Sequence, residues 1–237
     1  MKRGWIGWPA GVVPVLLGLV LLLAWDGGGL DLPLARLAGS AQGFAWRDSA
    51  ALVFWLHAVP RWISSAGLLA LFAGALRPWD WQRGWPARDR WQLVGAIALA
   101  MVSVTVIKRL SASSCPWDMA EFGGVAQYVS HWVWGVRDGG AGHCFPAGHA
   151  SAAFGYVAGW FVLRRRVPRL AAPWLAAAMA LGLVLGLAQQ LRGAHFMSHT
   201  LWSAWVCWCV GLAWEAIAQR GACSRASAAA ATKLNRS

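Results

Sequence analysis

Long apolar runs separated by short basic segments organise the chain. Read by length and hydropathy, the runs predict about six membrane-spanning helices, at residues 9–25, 52–76, 91–107, 150–163, 170–190 and 198–217. The first follows Met1-Lys2-Arg3 and has the basic and apolar parts of a signal peptide, but no clean small-x-small cleavage site comes after it. It is read as an uncleaved span entering from a cytoplasmic N-terminus. Residues 26–48, with Gly27-Gly28-Gly29 and scattered charges, are expected to hold a short amphipathic helix on the outer surface. Pro60 and Arg61 fall in the outer half of the second span, and residues 109–148 form the longest polar loop. The expected organisation is all-α and polytopic, with one membrane-embedded domain over residues 1–218. Residues 219–237 then make a Ser/Ala-rich cytoplasmic tail expected to be disordered.

Composition sharpens this picture. A hydrophobic content of 58% exceeds what a soluble core of 237 residues can hide, and 19 Trp suit the membrane–water interface, where an indole has apolar body and polar N–H both satisfied. The net charge of +12 raises nucleic acid as a partner until the 21 basic residues are placed. Fourteen of the 21 fall in the four segments predicted to face inward: the N-terminus, residues 77–90, Arg164 to Arg169, and the tail. Topology therefore explains the charge, and no nucleic-acid role is needed. It also places Lys108, His149, Arg192 and His195 on the same outer side. The five Cys form no CxxC or zinc pattern, so neither a metal nor a cofactor is expected. Cys207 and Cys209 lie inside an apolar run as small hydrophobes, whereas Cys115 and Cys144 lie in the long loop.

Three segments carry candidate chemistry. Residues 144–149 read Cys-Phe-Pro-Ala-Gly-His and lead straight into an apolar helix. Proline before a helix, a glycine that admits close backbone approach and free N–H groups at the helix start together make a corner fitted to phosphate. Its ordinary alternative is a capped helix start with an interfacial histidine. Residues 189–199 read Gln-Gln-Leu-Arg-Gly-Ala-His-Phe-Met-Ser-His. A continuous helix here puts Arg192, His195 and His199 on one face at i, i+3 and i+7, and the alternative is a polar turn between spans. Lys108 closes the third span, where snorkelling to the interface is the plain explanation. Convergence of all three on one membrane face favours a shared site.

These residues resemble the type 2 phosphatidic acid phosphatase (PAP2) superfamily, whose pattern is K-x6-R-P, then P-S-G-H, then S-R-x5-H-x3-D. Lys108 and Pro116 match the first motif, with Cys115 at the Arg position. Pro146, Gly148 and His149 match the second, with Ala147 replacing Ser. His195 matches the histidine of the third, where His199 stands at the Asp position and Gln189 at the Arg position. The resemblance covers residues 108–199. Its departures look like a variant bacterial subgroup carrying Cys-Pro-Trp-Asp, Phe-Pro-Ala-Gly-His and Arg-Gly-Ala-His-Phe-x-Ser-His motifs.

The resemblance implies a lipid phosphatase acting through a phosphohistidine. His195 would be the nucleophile, His149 the proton donor, and His199 the group that fixes the nucleophile's tautomer. Lys108, Arg192 and the backbone of Ala147 and Gly148 would bind phosphate, with Arg192 supplying the displaced guanidinium and Asp118 an alternative orienter. Cys115 and Cys144 face the oxidising side in this topology and are expected to form a disulfide. Phosphatidic acid, phosphatidylglycerol phosphate, undecaprenyl pyrophosphate and lipid A all fit as substrate classes. Phosphotransfer between lipids and non-catalytic binding of lipid phosphate are the competing readings; oligomeric state stays open. The expected location is a bacterial inner membrane, with both termini cytoplasmic and the site facing the periplasm or exterior.

Overall fold

A computed structural model describes residues 8–133 and 135–234, and the side chains of residues 11–133 and 135–221. Lys2, Arg3 and Arg236, and the side chains of Arg225 and Lys233, which entered the inner-segment count, lie outside these ranges. The described residues are predominantly helical, with a single small hairpin as their named sheet, and the chain is a polytopic membrane protein. In order come α1 (Trp8–Gly27), α2 (Asp31–Ala35), the hairpin β1 (Gly39–Ser40) and β2 (Gly43–Phe44), α3 (Ala50–Leu76) and α4 (Ala87–Leu110). Then follow α5 (residues 148–166), α6 (Pro168–Leu191) and α7 (Met197–Leu234). By length and composition α3, α4, α6 and the Met197–Gly221 part of α7 can each cross a membrane, and α1 contains a shorter apolar stretch, Gly11–Gly27.

Most boundaries fall within a few residues of the apolar runs, with three differences, the first of which traces to two glycines. The fourth span is one helical run in three pieces, tightened to a 3₁₀ turn over Gly155–Gly159. There Gly155 and Gly159 let Met101 and Trp174 approach the backbone. The polar stretch 26–48 holds only the five-residue α2 before the hairpin. Beyond Ile217, α7 continues as helix to Leu234, through the segment whose composition reads as a disordered tail.

The bundle core is built from small residues that let backbones approach. Ala96, Ala100, Ala147, Ala150, Ala158 and Ala178 surround Phe154, which is fully buried. Gly182 receives the Phe154 ring, and a Cβ there would overlap it. Two indoles fasten α1 to α7: Trp205 Nε1 donates to Val15 O and Trp208 Nε1 to Gly11 O, both at 3.0 Å. Outward, Leu16, Leu17, Val20, Trp62, Ile63 and Leu69 are each more than half exposed, an apolar belt that lipid covers.

The two ends of the bundle are both polar but differently built. At the α4 N-terminal end, buried Glu215 accepts from Gln92 and Arg165, and buried Asp89 pairs with Arg88 and Arg166. Three of the arginines that read as plain topology markers, Arg88, Arg165 and Arg166, are therefore neutralised partners. At the other end the 111–147 loop folds over the helix termini. Its Asp138 accepts from Ser114 N, Ser114 Oγ and Gly140 N, and Cys115 and Cys144 are joined by a disulfide with Cα atoms 5.2 Å apart.

Candidate active site

The segment between α6 and α7 departs from the continuous helix expected across residues 189–199. α6 ends at Leu191, Gly193 takes φ +73°, Gly193 N donates to Gln190 O at 2.9 Å and Ala194 N to Gln189 O at 2.8 Å. That pair of bonds is a Schellman cap, which glycine alone enters without strain. The next helix starts at Met197, with Asp31 on its first turn: Ser198 N donates to Asp31 Oδ1 at 2.9 Å, and Ser198 Oγ bonds Oδ2. Arg192, His195 and His199 thus share a turn and a helix start, not a helix face. A Cβ on residue 193 would also strike the Phe44 ring. Gly193→Ala should therefore cost roughly 2 kcal/mol or more, against about 1 kcal/mol for Gly84→Ala, which has a positive φ but open space. Thermal unfolding of both variants in detergent measures the difference, and equal losses would refute the ring clash.

His195 is 2% exposed, its ring 6.2 Å from that of His149 and 5.7 Å from that of His199, centroid to centroid. Its Nδ1 faces the Cys144 sulfur at 3.6 Å. Burial, then the charges of Lys108, His199 and His149, push its pKa well below the ordinary histidine value, opposed by a hydrogen bond to the Cys144 backbone. The ring is neutral at neutral pH. Acidification protonates it more readily in the unfolded chain, so its contribution to stability falls as pH drops below about 6.5.

Lys108 leaves the end of α4 and lies across Gly148. A Cβ there would sit 3.3 Å from Lys108 Cδ and 3.8 Å from Nζ, so the glycine clears the lysine's path. Ala147 N donates to His199 O at 3.0 Å, tying the start of α5 to the start of α7, with Ser203 Oγ donating to Ala147 O at 2.9 Å. Gly148 and His149 are the first residues of the helix, whose N–H groups have no intrahelical acceptor. Asp118 is engaged locally, accepting from Cys115 N at 3.3 Å.

His57 of α3 escapes the motif reading entirely. Its Nε2 lies 3.0 Å from His149 Nε2, and its Nδ1 lies 3.2 Å from Arg192 Nη1. Arg192 also donates to Gln189 Oε1 at 2.9 Å and, through Nε, to Arg47 O at 3.0 Å. An ionisable side chain inside an apolar run is the one sequence signal that marks His57. A second cluster missed by motif reading flanks His199. Asp26 Oδ2 accepts from Trp132 Nε1 at 2.9 Å and Trp202 Nε1 at 3.0 Å, and lies 3.1 Å from His131 Nε2. The donors of Cys144, His195 and His199 gather within 4.8 Å, in the manner of a metal site. The sulfur is spent in the disulfide, however, and offers no thiolate.

Two histidines, a lysine and an arginine gathered at one end of a helical membrane bundle are the kinds of group that phosphoryl transfer uses. Residues 89–221, more than half of the chain, match the PAP2 superfamily, and the chain belongs to that superfamily. Membership supports phosphatase-type enzymatic chemistry. No curated protein and no solved structure matches the chain.

Proposed function

We propose that the protein hydrolyses a phosphomonoester or pyrophosphate of a lipid through a phosphohistidine on His195. The carrying observation is that His195, His149, Lys108 and the Arg192–His57 pair, from three helices and the turn between α6 and α7, meet at one end of the bundle.

In this reading the neutral imidazole of His195 attacks phosphorus, forming an N–P bond as the P–O bond to the lipid breaks. His149 protonates the departing oxygen, then takes a proton from the water that releases phosphate. Lys108, Arg192 and the N–H groups of Gly148 and His149 stabilise the equatorial oxygens. With Nδ1 turned to Cys144, the lone pair for attack is on Nε2. The Cys144 backbone, a neutral acceptor, then serves as orienter beside His199 where the family pattern has a carboxylate. A lipid substrate suits a site at the end of spanning helices, since its tail stays in the bilayer while its head group reaches the pocket. The disulfide and the basic residues at the opposite end favour an extracytoplasmic site in a bacterial inner membrane.

Phosphate release from a panel of lipid phosphates by detergent-purified protein tests the proposal. Vanadate, which mimics five-coordinate phosphorus, should inhibit. Arg192→Ala should lower kcat/KM by about 10²-fold, and Arg192→Lys should rescue little, because a point charge does not replace a guanidinium shared among His57, Gln189 and Arg47. Lack of release from every lipid, or unchanged activity in Arg192→Ala, would count against the reading.

A further inference from the structure

We infer that His57 is a positioning residue for the acid–base step, holding His149 and linking it to Arg192. The inference rests on the phosphatase reading above. Guanidinium nitrogens only donate, so His57 Nδ1, 3.2 Å from Arg192 Nη1, accepts and carries no proton. The proton of the neutral His57 ring therefore sits on Nε2, 3.0 Å from His149 Nε2, with the two rings tilted by 40° and their centroids 3.8 Å apart. His149 accepts there and keeps its own proton on Nδ1, which is buried without a partner among the described residues. The network fixes both tautomers. It also leaves Nδ1 of His149, the nitrogen that keeps the proton, as the one free to donate to a departing oxygen before any substrate arrives.

The backbone is built to present this histidine. Pro60 has no N–H, so Leu56 O lacks its normal helical donor. The helix widens to a π turn over Phe54–Ala58, with Val59 N donating to Phe54 O. Gln189 Nε2 fills the vacancy at Leu56 O, 3.3 Å away, while Gln189 Oε1 accepts from Arg192 Nη1 at 2.9 Å. A closed circuit results, from Leu56 through Gln189 and Arg192 to His57 and on to His149. A histidine that merely filled space would need none of these bonds.

A positioning role has a signature that packing lacks. Expelling an alkoxide needs a well-placed acid, and expelling a phenolate of low pKa hardly does. Single-turnover release of the leaving group, with enzyme in excess, isolates that step from phosphoenzyme hydrolysis. The substrates are a lipid alkyl phosphomonoester and an aryl phosphate, and the proteins are the parent, His57→Phe, His57→Gln, His149→Ala and His195→Ala. His57→Leu stands in if the Phe variant does not survive purification.

His57→Phe should slow alkyl ester cleavage by about tenfold or more and aryl phosphate cleavage by less than about threefold, a weaker copy of His149→Ala. His57→Gln, whose amide accepts and donates across the same span, should stay within about threefold of the parent on both. Equal slowing of both substrates in His57→Phe, no slowing of the alkyl ester, or a Gln variant as impaired as the Phe variant would overturn the inference. If His195→Ala still releases the leaving group, the phosphohistidine reading falls and takes this inference with it. If His195→Ala and His149→Ala are inactive on the alkyl ester while His57→Phe matches the parent, only this inference falls.

Discussion

His195→Ala should abolish lipid phosphate release, lowering kcat by roughly 10³-fold or more, with no matching loss of stability. The ring is buried, but among its neighbours are Lys108, His149 and the Cys144 disulfide, and it supports no core cluster. Its removal leaves a cavity flanked by polar groups and relieves a buried titratable site, so the thermal midpoint should shift little or rise. Trapping after acid-free denaturation should show ³²P label on the parent and none on the variant. Retained turnover with an unlabelled protein would eliminate the covalent route.

Loss of the Cys115–Cys144 bond should have the largest effect on stability. It closes 29 residues of loop, for which the chain-entropy model gives roughly 3 to 4 kcal/mol. The cost should be local as well as global. The bond joins the end of the Lys108 segment to the start of the His149 segment, and Trp117 N donates to Gly193 O at 2.9 Å just beside it. Cys115→Ser/Cys144→Ser should therefore lower the unfolding temperature and reduce kcat/KM together. Reductant should mimic the double variant in the parent and do nothing further to the variant. A parent protein that titrates five free thiols when denatured without reductant would disprove the bond.

The sequence made the bundle readable because each span is a long apolar run and the arginines between runs mark one side. Lys108, His149 and His195 were readable for a related reason: each sits at a helix end whose position the run boundaries set. What was hidden depends on partners distant in sequence. His57 is one imidazole in an apolar run until Pro60 frees a carbonyl that Gln189, more than 130 residues away, comes to fill. Gly193 was visible, yet the i, i+3, i+7 spacing of Arg192, His195 and His199 drew attention to a helix face, when a glycine after an arginine at a helix end already signalled the cap. The pairing of Arg165 with Glu215 and Arg166 with Asp89 was likewise beyond spacing arguments, since the partners lie on different helices.

In the proposed mechanism, a neutral Cys144 acceptor beside His195 would change the balance between the two half-reactions. A carboxylate makes an imidazole a better attacker and a poorer leaving group; a backbone carbonyl does less of both. In that mechanism an imidazole that attacks more sluggishly would also let go of phosphorus more easily, so a loss in the first half-reaction would be partly offset in the second. A chemistry of that kind suits substrates whose own bond to phosphorus is already weak, such as the anhydride of a lipid pyrophosphate.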